Sequence, residues 1–425
     1  MPSLKDPRLS GRVAFNYPNF VSYTLARTLV VTSLEMLSVA VGWQVYEITK
    51  RPIDLGYVGL AQFAPGFLLF LFAGHAADLF DRRKLLMGCY AGFALCSGLL
   101  LAISQLAPHS VHAIYVVLVL LGIFRSFSFP VSRAILPQLV PEEHFSNAVA
   151  WNASTFQIAT IAGPAIGGIA YAVFRGPQAV YAIAVIVSVL STILTLRIHP
   201  LPVTSQKQFA EREPISPRTV LAGFHFIWKQ KVILGSITLD MFAVLLGGAV
   251  ALLPIYARTI LHTGPWGLGL LRSAPGIGAA ITAIVVAYRP IERRAGLTMF
   301  LAVAAFGVLT ILFGISHSLI LSMAALLLAG AADMVSVIIR AMLVQIATPD
   351  GMRGRVNAVD FLFIGVSNEL GEFESGLTAQ WFGVIPAVVL GGVGTLIVIG
   401  VWAWIFPELR KADRLSVAEL MPKES

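Results

Sequence analysis

Long apolar segments separated by short polar ones recur along the whole chain. A helix of about 20 apolar residues crosses a hydrocarbon core of about 30 Å and satisfies its own backbone hydrogen bonds there. The pattern therefore predicts an all-α membrane protein with twelve transmembrane helices. We place these spans at residues 20–46, 55–77, 85–104, 112–136, 147–173, 178–197, 232–257, 265–287, 297–315, 319–345, 356–381 and 384–406.

The composition agrees with a membrane protein. Of the 425 residues, 57% are hydrophobic and 12% are charged, and the mean hydropathy is +0.81. Soluble proteins carry about 25% charged residues, so most of this surface must face lipid. The formal net charge of +8 does not indicate nucleic-acid binding, because the basic residues form short clusters between apolar segments. We expect no nucleic-acid partner.

Lysine and arginine residues are concentrated on one side of the predicted spans. Arg82 and Arg83 lie after the second span, and further basic clusters follow the sixth, eighth, tenth and twelfth spans. Because such residues stay in the cytoplasm, the pattern predicts cytoplasmic N- and C-termini and an even number of spans. We expect a multi-pass protein of the cytoplasmic (inner) membrane that is surrounded by the lipid bilayer and is a monomer.

The second half of the chain repeats the first. Asn147 matches Asn357 at an offset of 210 residues, and Arg133 matches Arg340 at an offset of 207. Repeated halves are typical of alternating-access transporters, whose site lies at the midplane between them; a duplicated membrane anchor is the alternative. We expect two pseudo-symmetric six-helix bundles, at residues 1–197 and 232–425. Residues 198–231 connect them and are expected to form a cytoplasmic linker and an interfacial helix.

A loop motif lies between the second and third spans. Gly74 and Asp78 are followed by Asp81 and the basic pair Arg82–Arg83, and basic residues hold such a loop at the anionic leaflet. The motif resembles the signature loop of the major facilitator superfamily, with Asp81 where many members carry glycine. The drug-exporter branch that contains the enterobactin exporter also tends to lack that glycine. The chain resembles this branch over essentially its whole length.

The resemblance implies a role for the loop motif. In this family Gly74, Asp78, Arg82 and Arg83 are expected to form a cytoplasmic latch. Anchoring of the loop at the membrane surface is the alternative.

Span five carries a second motif, formed by Gly163, Pro164, Gly167 and Gly168. Small residues let helices approach closely, and proline loosens the backbone hydrogen-bond ladder. The motif resembles the glycine–proline signature on helix five of the family's antiporters. It therefore indicates antiport, with ordinary helix packing as the alternative.

Charged residues inside four spans are the candidate transport site. Glu35, Arg125, Asp240 and Asp333 lie in spans one, four, seven and ten. A charge at the bilayer centre costs about 2.5–3.5 kcal/mol, so these side chains should face a cavity or one another. The family resemblance implies that these four helices line the central cavity. We expect Glu35 or Asp240 to carry an exchanged proton next to Arg125; a structural ion pair is the alternative.

Two further charged groups lie in or near the spans. Glu369, Glu372 and Glu374 lie in span eleven, where we expect a second coupling site, a cation site or an interface network with span two, five or eight. Arg133 and Arg340 are expected to form repeat-related structural pairs with nearby carboxylates or helix ends.

The sequence carries no motif that indicates chemistry other than transport. No phosphate-binding glycine loop is present, so ATP drive is not expected, and the histidines are scattered. We expect no enzyme, no cofactor and no metal site. The sequence predicts a secondary active transporter, a proton-coupled exporter of small amphiphilic molecules, drugs or siderophores. An uptake porter or a sodium-coupled transporter of the same fold is the alternative.

Overall fold

The structure is a computed structural model that describes residues 11–199, 217–291 and 293–411. Within these ranges the chain is almost entirely helical. The principal helices are α1 (Pro18–Thr49), α2 (Pro52–Leu79), α3 (Arg82–Leu106), α4 (Val111–Ile135), α5 (Phe145–Val173), α6 (Pro177–Leu196), α7 (Pro217–Lys229), α8 (Lys231–Gly247), α9 (Pro265–Tyr288), α10 (Ala295–Ile315), α11 (Leu319–Ala347), α12 (Asp350–Phe382) and α13 (Val384–Ile405).

The predicted spans coincide with helices. In the described part of the chain, ten helical segments are long and apolar enough to cross a bilayer. Predicted spans two and eleven lie in α2 and α12, which are 28 and 33 residues long and are not among those ten. The all-α membrane fold is confirmed, and the count of twelve spans stays a prediction with which the helices agree.

The seventh predicted span is not one regular helix. Helix α8 ends at Gly247, and Gly248 leaves the helical region with φ −72° and ψ 71°. A 3₁₀ turn, Ala249–Leu252, and a π-helical turn, Tyr256–Ile260, follow. Pro254 between them has no N–H to donate. Glycine and proline thus divide a segment that hydropathy alone presents as continuous.

By its internal contacts the chain divides into two units. The first unit is Met1–Val41 with Ala61–Pro214, and the second is Gly42–Leu60 with Ile215–Ser425. The predicted division into residues 1–197, 198–231 and 232–425 stays a prediction. It differs from these units in where it assigns the end of α1 and the start of α2.

The first unit is held together by close helix contacts. Helix α3 packs against α4 and α6, and α5 approaches α1 through glycine. A Cβ atom on Gly167 would lie 2.8 Å from the Cα atom of Met36, so a larger residue would force the helices apart. The hydroxyl of Tyr23 on α1 donates to the carbonyl of Ser132 on α4 at 2.7 Å.

The second unit relies on glycine in the same way. Helices α9 and α11 cross where Gly278 faces the carbonyl oxygen of Leu327 and Gly330 faces the backbone of Pro275. In both cases a Cβ atom would overlap the facing backbone. With little hydrophobic driving force between helices in lipid, such close approach is what holds membrane helices together.

Helix α7 forms where the sequence predicts an interfacial helix. Its buried face packs on α12, where a Cβ atom on Gly223 would lie 2.6 Å from the carbonyl oxygen of Arg355. Ile227 is buried on this face, whereas Phe224 and Trp228 are exposed. Exposed aromatic side chains beside charged residues are typical of helices at a membrane surface, and that placement stays a prediction.

We expect Gly278→Ala to destabilise the protein by about 1–3 kcal/mol, because the added methyl group overpacks the crossing of α9 and α11. The measurement is the thermal unfolding midpoint of the purified chain in detergent. Gly400→Ala on α13 is the control, since no heavy atom lies within 4 Å of its Cβ position. Equal midpoints for the two variants would contradict the packing account.

Candidate functional site

Charged side chains from three helices meet inside the second unit. The guanidinium of Arg340 on α11 lies between two carboxylates, with Nη2 3.4 Å from Oδ2 of Asp240 on α8. Its Nη1 atom donates to Oδ1 of Asp360 on α12 at 2.5 Å. The hydroxyl of Ser336 donates to Oδ1 of Asp240 at 3.1 Å. The group therefore ties α8, α11 and α12 together.

The spacing along α11 explains why these residues meet. Asp333, Ser336 and Arg340 are three and four residues apart, which places them on one face of a helix. Asp333 lies about 10 Å from Arg340 along the helix axis. Asp333 is therefore on the same face of α11 as Ser336 and Arg340, the two residues that contact Asp240.

This charged group is largely withdrawn from solvent. The side chains of Arg340, Asp240 and Asp360 are 4%, 7% and 19% exposed. Charges interact more strongly in such surroundings than in water. Two carboxylates contact one guanidinium, so full ionisation would leave excess negative charge inside the unit. A proton bound to one carboxyl group would reduce that excess.

Arg340 retains one unsatisfied donor. Its Nε atom is buried and has no hydrogen-bond partner among the described residues. A buried polar atom without a partner costs free energy.

The other two predicted site residues belong to the first unit. Glu35 on α1 is half-buried and Arg125 on α4 is exposed. Neither forms a hydrogen bond or an ion pair with the part of the chain that the structure describes. Of the four predicted residues, Asp240 contacts Ser336 and Arg340, and Asp333 lies on the same face of α11 as those two residues.

The helix-five motif lies directly against Glu35. A Cβ atom on Gly163 would lie 2.5 Å from Cβ of Glu35, and Pro164, Gly167 and Gly168 are buried on the same helix. Glycine at this position therefore makes the room that the Glu35 side chain occupies. The predicted role of the motif in antiport stays a prediction.

The three glutamates of the predicted second acidic site, all on α12, divide into a pair and a single residue. Glu369 and Glu372 both reach Gly59 of α2, where a Cβ atom would lie 3.6 Å and 2.7 Å from their Oε2 atoms. Glu374 instead accepts a hydrogen bond from the hydroxyl of Thr378 at 2.6 Å, one turn along its own helix. The predicted second acidic site is thus a pair that faces α2, and its role stays a prediction.

The basic pair of the loop motif binds helix ends in the first unit. Arg82 Nη1 donates to the carbonyl of Ala134 at 3.0 Å, and Arg83 Nε donates to the carbonyl of Thr195 at 3.2 Å. These carbonyls lie in the last turns of α4 and α6, where the helix dipole favours positive charge. Arg82 and Arg83 therefore anchor the start of α3.

Asp81 has a local structural role. Its carboxylate accepts a hydrogen bond from the backbone N–H of Lys84 at 3.0 Å and so caps the N-terminus of α3. This contact gives the carboxylate of Asp81 a role within its own helix. Gly74 and Asp78 lie outside the residues whose side chains the structure describes, and the latch stays a prediction.

Sequence reasoning missed Asp360 and underrated Arg340. Arg340 does pair with carboxylates, as predicted, but in doing so it joins the charged group of Asp240. Asp360 lies inside predicted span eleven, so the cost of burying a charge in a span applies to it as it does to Asp333. That argument could have identified it.

Comparisons with known proteins agree with this architecture. Residues 15–424 match the family described as transmembrane secretion effector. The enterobactin exporter EntS of Escherichia coli O1:K1 / APEC is 26% identical over 401 residues, covering 93% of each chain. EntS of Shigella boydii serotype 18 gives the same values.

Solved transporter structures share the fold. A mutant of the nucleoside transporter NupG superposes with a TM-score of 0.72 at 12% identity, over 91% of this chain and 100% of that one. The D-xylose–proton symporter has a TM-score of 0.67 at 14% identity, over 93% and 98%. The chain therefore belongs to the transmembrane secretion effector family, and it is a membrane transporter of the major facilitator type rather than an enzyme.

Proposed function

We propose that this chain is a proton-driven exporter of small amphiphilic molecules, a class that includes drugs and siderophores. The observation that carries the proposal is the pair of carboxylates, Asp240 and Asp360, that contact Arg340 within the spans of the second unit. Similarity to enterobactin exporters favours export. The lysine and arginine distribution favours an inner-membrane protein with both termini in the cytoplasm.

Proton binding would change the contacts between helices. Ionised Asp240 accepts from Ser336 and attracts Arg340, which also holds Asp360. A proton on Asp240 would remove its charge and weaken the tie between α8 and α11. A ligand shifts a conformational equilibrium only by its different affinity for the two states. A proton meets this condition, because its binding to Asp240 removes the charge on which the ion pair with Arg340 depends.

Glu35 would serve as a second proton carrier in the first unit, beside the helix-five motif. The transporter would work as a monomer whose two six-helix halves, 1–197 and 232–425, alternately expose the site to the two sides of the membrane. Asp78 with Arg82 would hold the cytoplasmic side as a latch. Proton release on one side and substrate release on the other would then be linked.

Substitution of the carboxyl groups should abolish substrate-driven proton movement. In proteoliposomes with an imposed pH gradient, we expect internal pH to respond to a compound of a siderophore, macrolide and lipophilic-cation panel. Asp240→Asn and Glu35→Gln should lose this response because their amides do not exchange protons at these pH values. Glu408→Gln is the control, since Glu408 lies outside the spans and pairs with Lys231.

Unchanged proton flux in both variants would overturn the coupling role. No flux with any compound, from folded wild-type protein, would favour sodium coupling or uptake instead.

Arg340→Gln should destabilise the protein by about 3–5 kcal/mol, because it leaves buried carboxylates without their partner. The double variant with Asp240→Asn should lose less than the sum of the two single variants. Thermal unfolding midpoints in detergent measure both effects. If the group is only structural, the Asp240→Asn protein that does fold will keep wild-type proton flux per molecule.

A further inference from the structure

Helix α7 carries two kinds of exposed side chain. With 13 residues it is about 20 Å long, which is too short to cross a hydrocarbon core of about 30 Å. Its exposed apolar residues are three and four positions apart and so share one side of the helix: Leu221, Phe224 and Trp228. His225 and Lys229, also exposed, form the adjacent strip. The helix thus has an apolar edge and a basic edge side by side.

The remaining face of α7 packs on α12. A Cβ atom on Gly223 would lie 3.1 Å from Cγ2 of Val359. The ring of Phe224 stacks on that of Phe363, with centroids 6.3 Å apart. Val359 and Phe363 are one turn apart on α12, and Asp360 lies between them in the sequence. Helix α7 therefore contacts the turn of α12 that carries Asp360.

One buried cluster joins α7 to the whole charged group of the second unit. Ile227 of α7 lies in this cluster. Helices α8, α11 and α12 each contribute a residue that directly precedes a member of the charged group: Leu239, Ile339 and Val359. Close-packed interiors transmit strain. A displacement of α7 would therefore disturb the packing beside Asp240, Arg340 and Asp360.

The charges on α7 are complementary to an anionic surface. Residues 217–231 contain Arg218, His225, Lys229 and Lys231 and no acidic residue. Lys231 pairs with Glu408 at 3.3 Å, whereas Lys229 has no ion pair with the described part of the chain. Anionic lipid attracts basic residues near a bilayer, and apolar side chains beside them enter the boundary between headgroups and acyl chains. The two edges of α7 match these two layers.

We infer that α7 docks on an anionic lipid surface and that this docking holds α12 where Asp360 meets Arg340. Phosphatidylglycerol, a lipid with net negative charge, has the chemistry that the basic edge recognises. Trp228 anchors the helix at the level of the headgroups, where tryptophan is enriched in membrane proteins. The inference goes beyond the proposed function, because it concerns a lipid partner and does not depend on proton movement.

The competing explanation is that α7 only packs on the protein. In that case the charge of the surrounding lipid would not affect it. Two preparations of the full chain in nanodiscs separate these explanations: one in phosphatidylcholine alone, the other in phosphatidylcholine mixed with phosphatidylglycerol. Hydrogen–deuterium exchange, read by mass spectrometry, measures local opening of α7 and of residues 355–363 in α12.

We expect phosphatidylglycerol to slow exchange in α7 and in residues 355–363 by about tenfold, and high salt to reverse the effect by screening. Lys229→Gln should reduce the slowing by about fivefold, because one basic contact is lost. Lys84→Gln, at an exposed lysine of α3, is the charge-matched control. Trp228→Ser should also reduce the slowing, and Trp381→Ser is its control, since both tryptophans are exposed.

Equal exchange in the two lipids, or slowing that Lys229→Gln leaves intact, would overturn the inference. Slower exchange in α7 with no change in residues 355–363 would also overturn it, because the docking would then not reach the charged group. Both substituted side chains, Lys229 and Trp228, are exposed, so we expect the variants to fold. Absence of proton flux with the lipid effect intact would count against the proposed export alone.

Discussion

An ionised side chain in a hydrocarbon environment is expensive, and most of the features described here follow from that cost. A single charge at the bilayer centre costs about 2.5–3.5 kcal/mol on insertion. In the second unit the cost is offset by pairing, since Arg340 lies between Asp240 and Asp360. In the first unit Arg27 is stabilised by oxygens of Asn152 and the ring of Phe156, with no carboxylate among the described residues.

Close helix approach is what allows these charges to be placed. Gly163 admits the side chain of Glu35, and Gly59 admits the carboxyl group of Glu372. At each of these positions a Cβ atom would occupy the space that the acid uses. Glycine in this protein therefore has two roles: it lets helices pack without a hydrophobic driving force, and it makes room for charges between them.

Most of the fold could be predicted from the sequence, because lipid imposes length and hydropathy on every span. The interruption after α8 could not, since Gly248 and Pro254 lie in an apolar segment that hydropathy presents as uniform. The site was predicted in part. The cost of burying charge selected Asp240 and Asp333, and helical periodicity would have added Arg340. The same cost applies to Asp360, which lies in a predicted span, but its contact with Arg340 depends on the packing of α12, which no spacing along one helix contains.

The direction of substrate movement under a pH gradient tests the central claim most directly. Everted inner-membrane vesicles would be given an interior more acidic than the medium, and right-side-out vesicles from the same cells a medium more acidic than the interior. Both would receive a panel of siderophores, macrolides and lipophilic cations. The account predicts that everted vesicles accumulate at least one compound, and that collapse of the gradient, or absence of this chain, abolishes accumulation. Accumulation by right-side-out vesicles driven by an acidic exterior, with none by everted vesicles, would contradict proton-driven export.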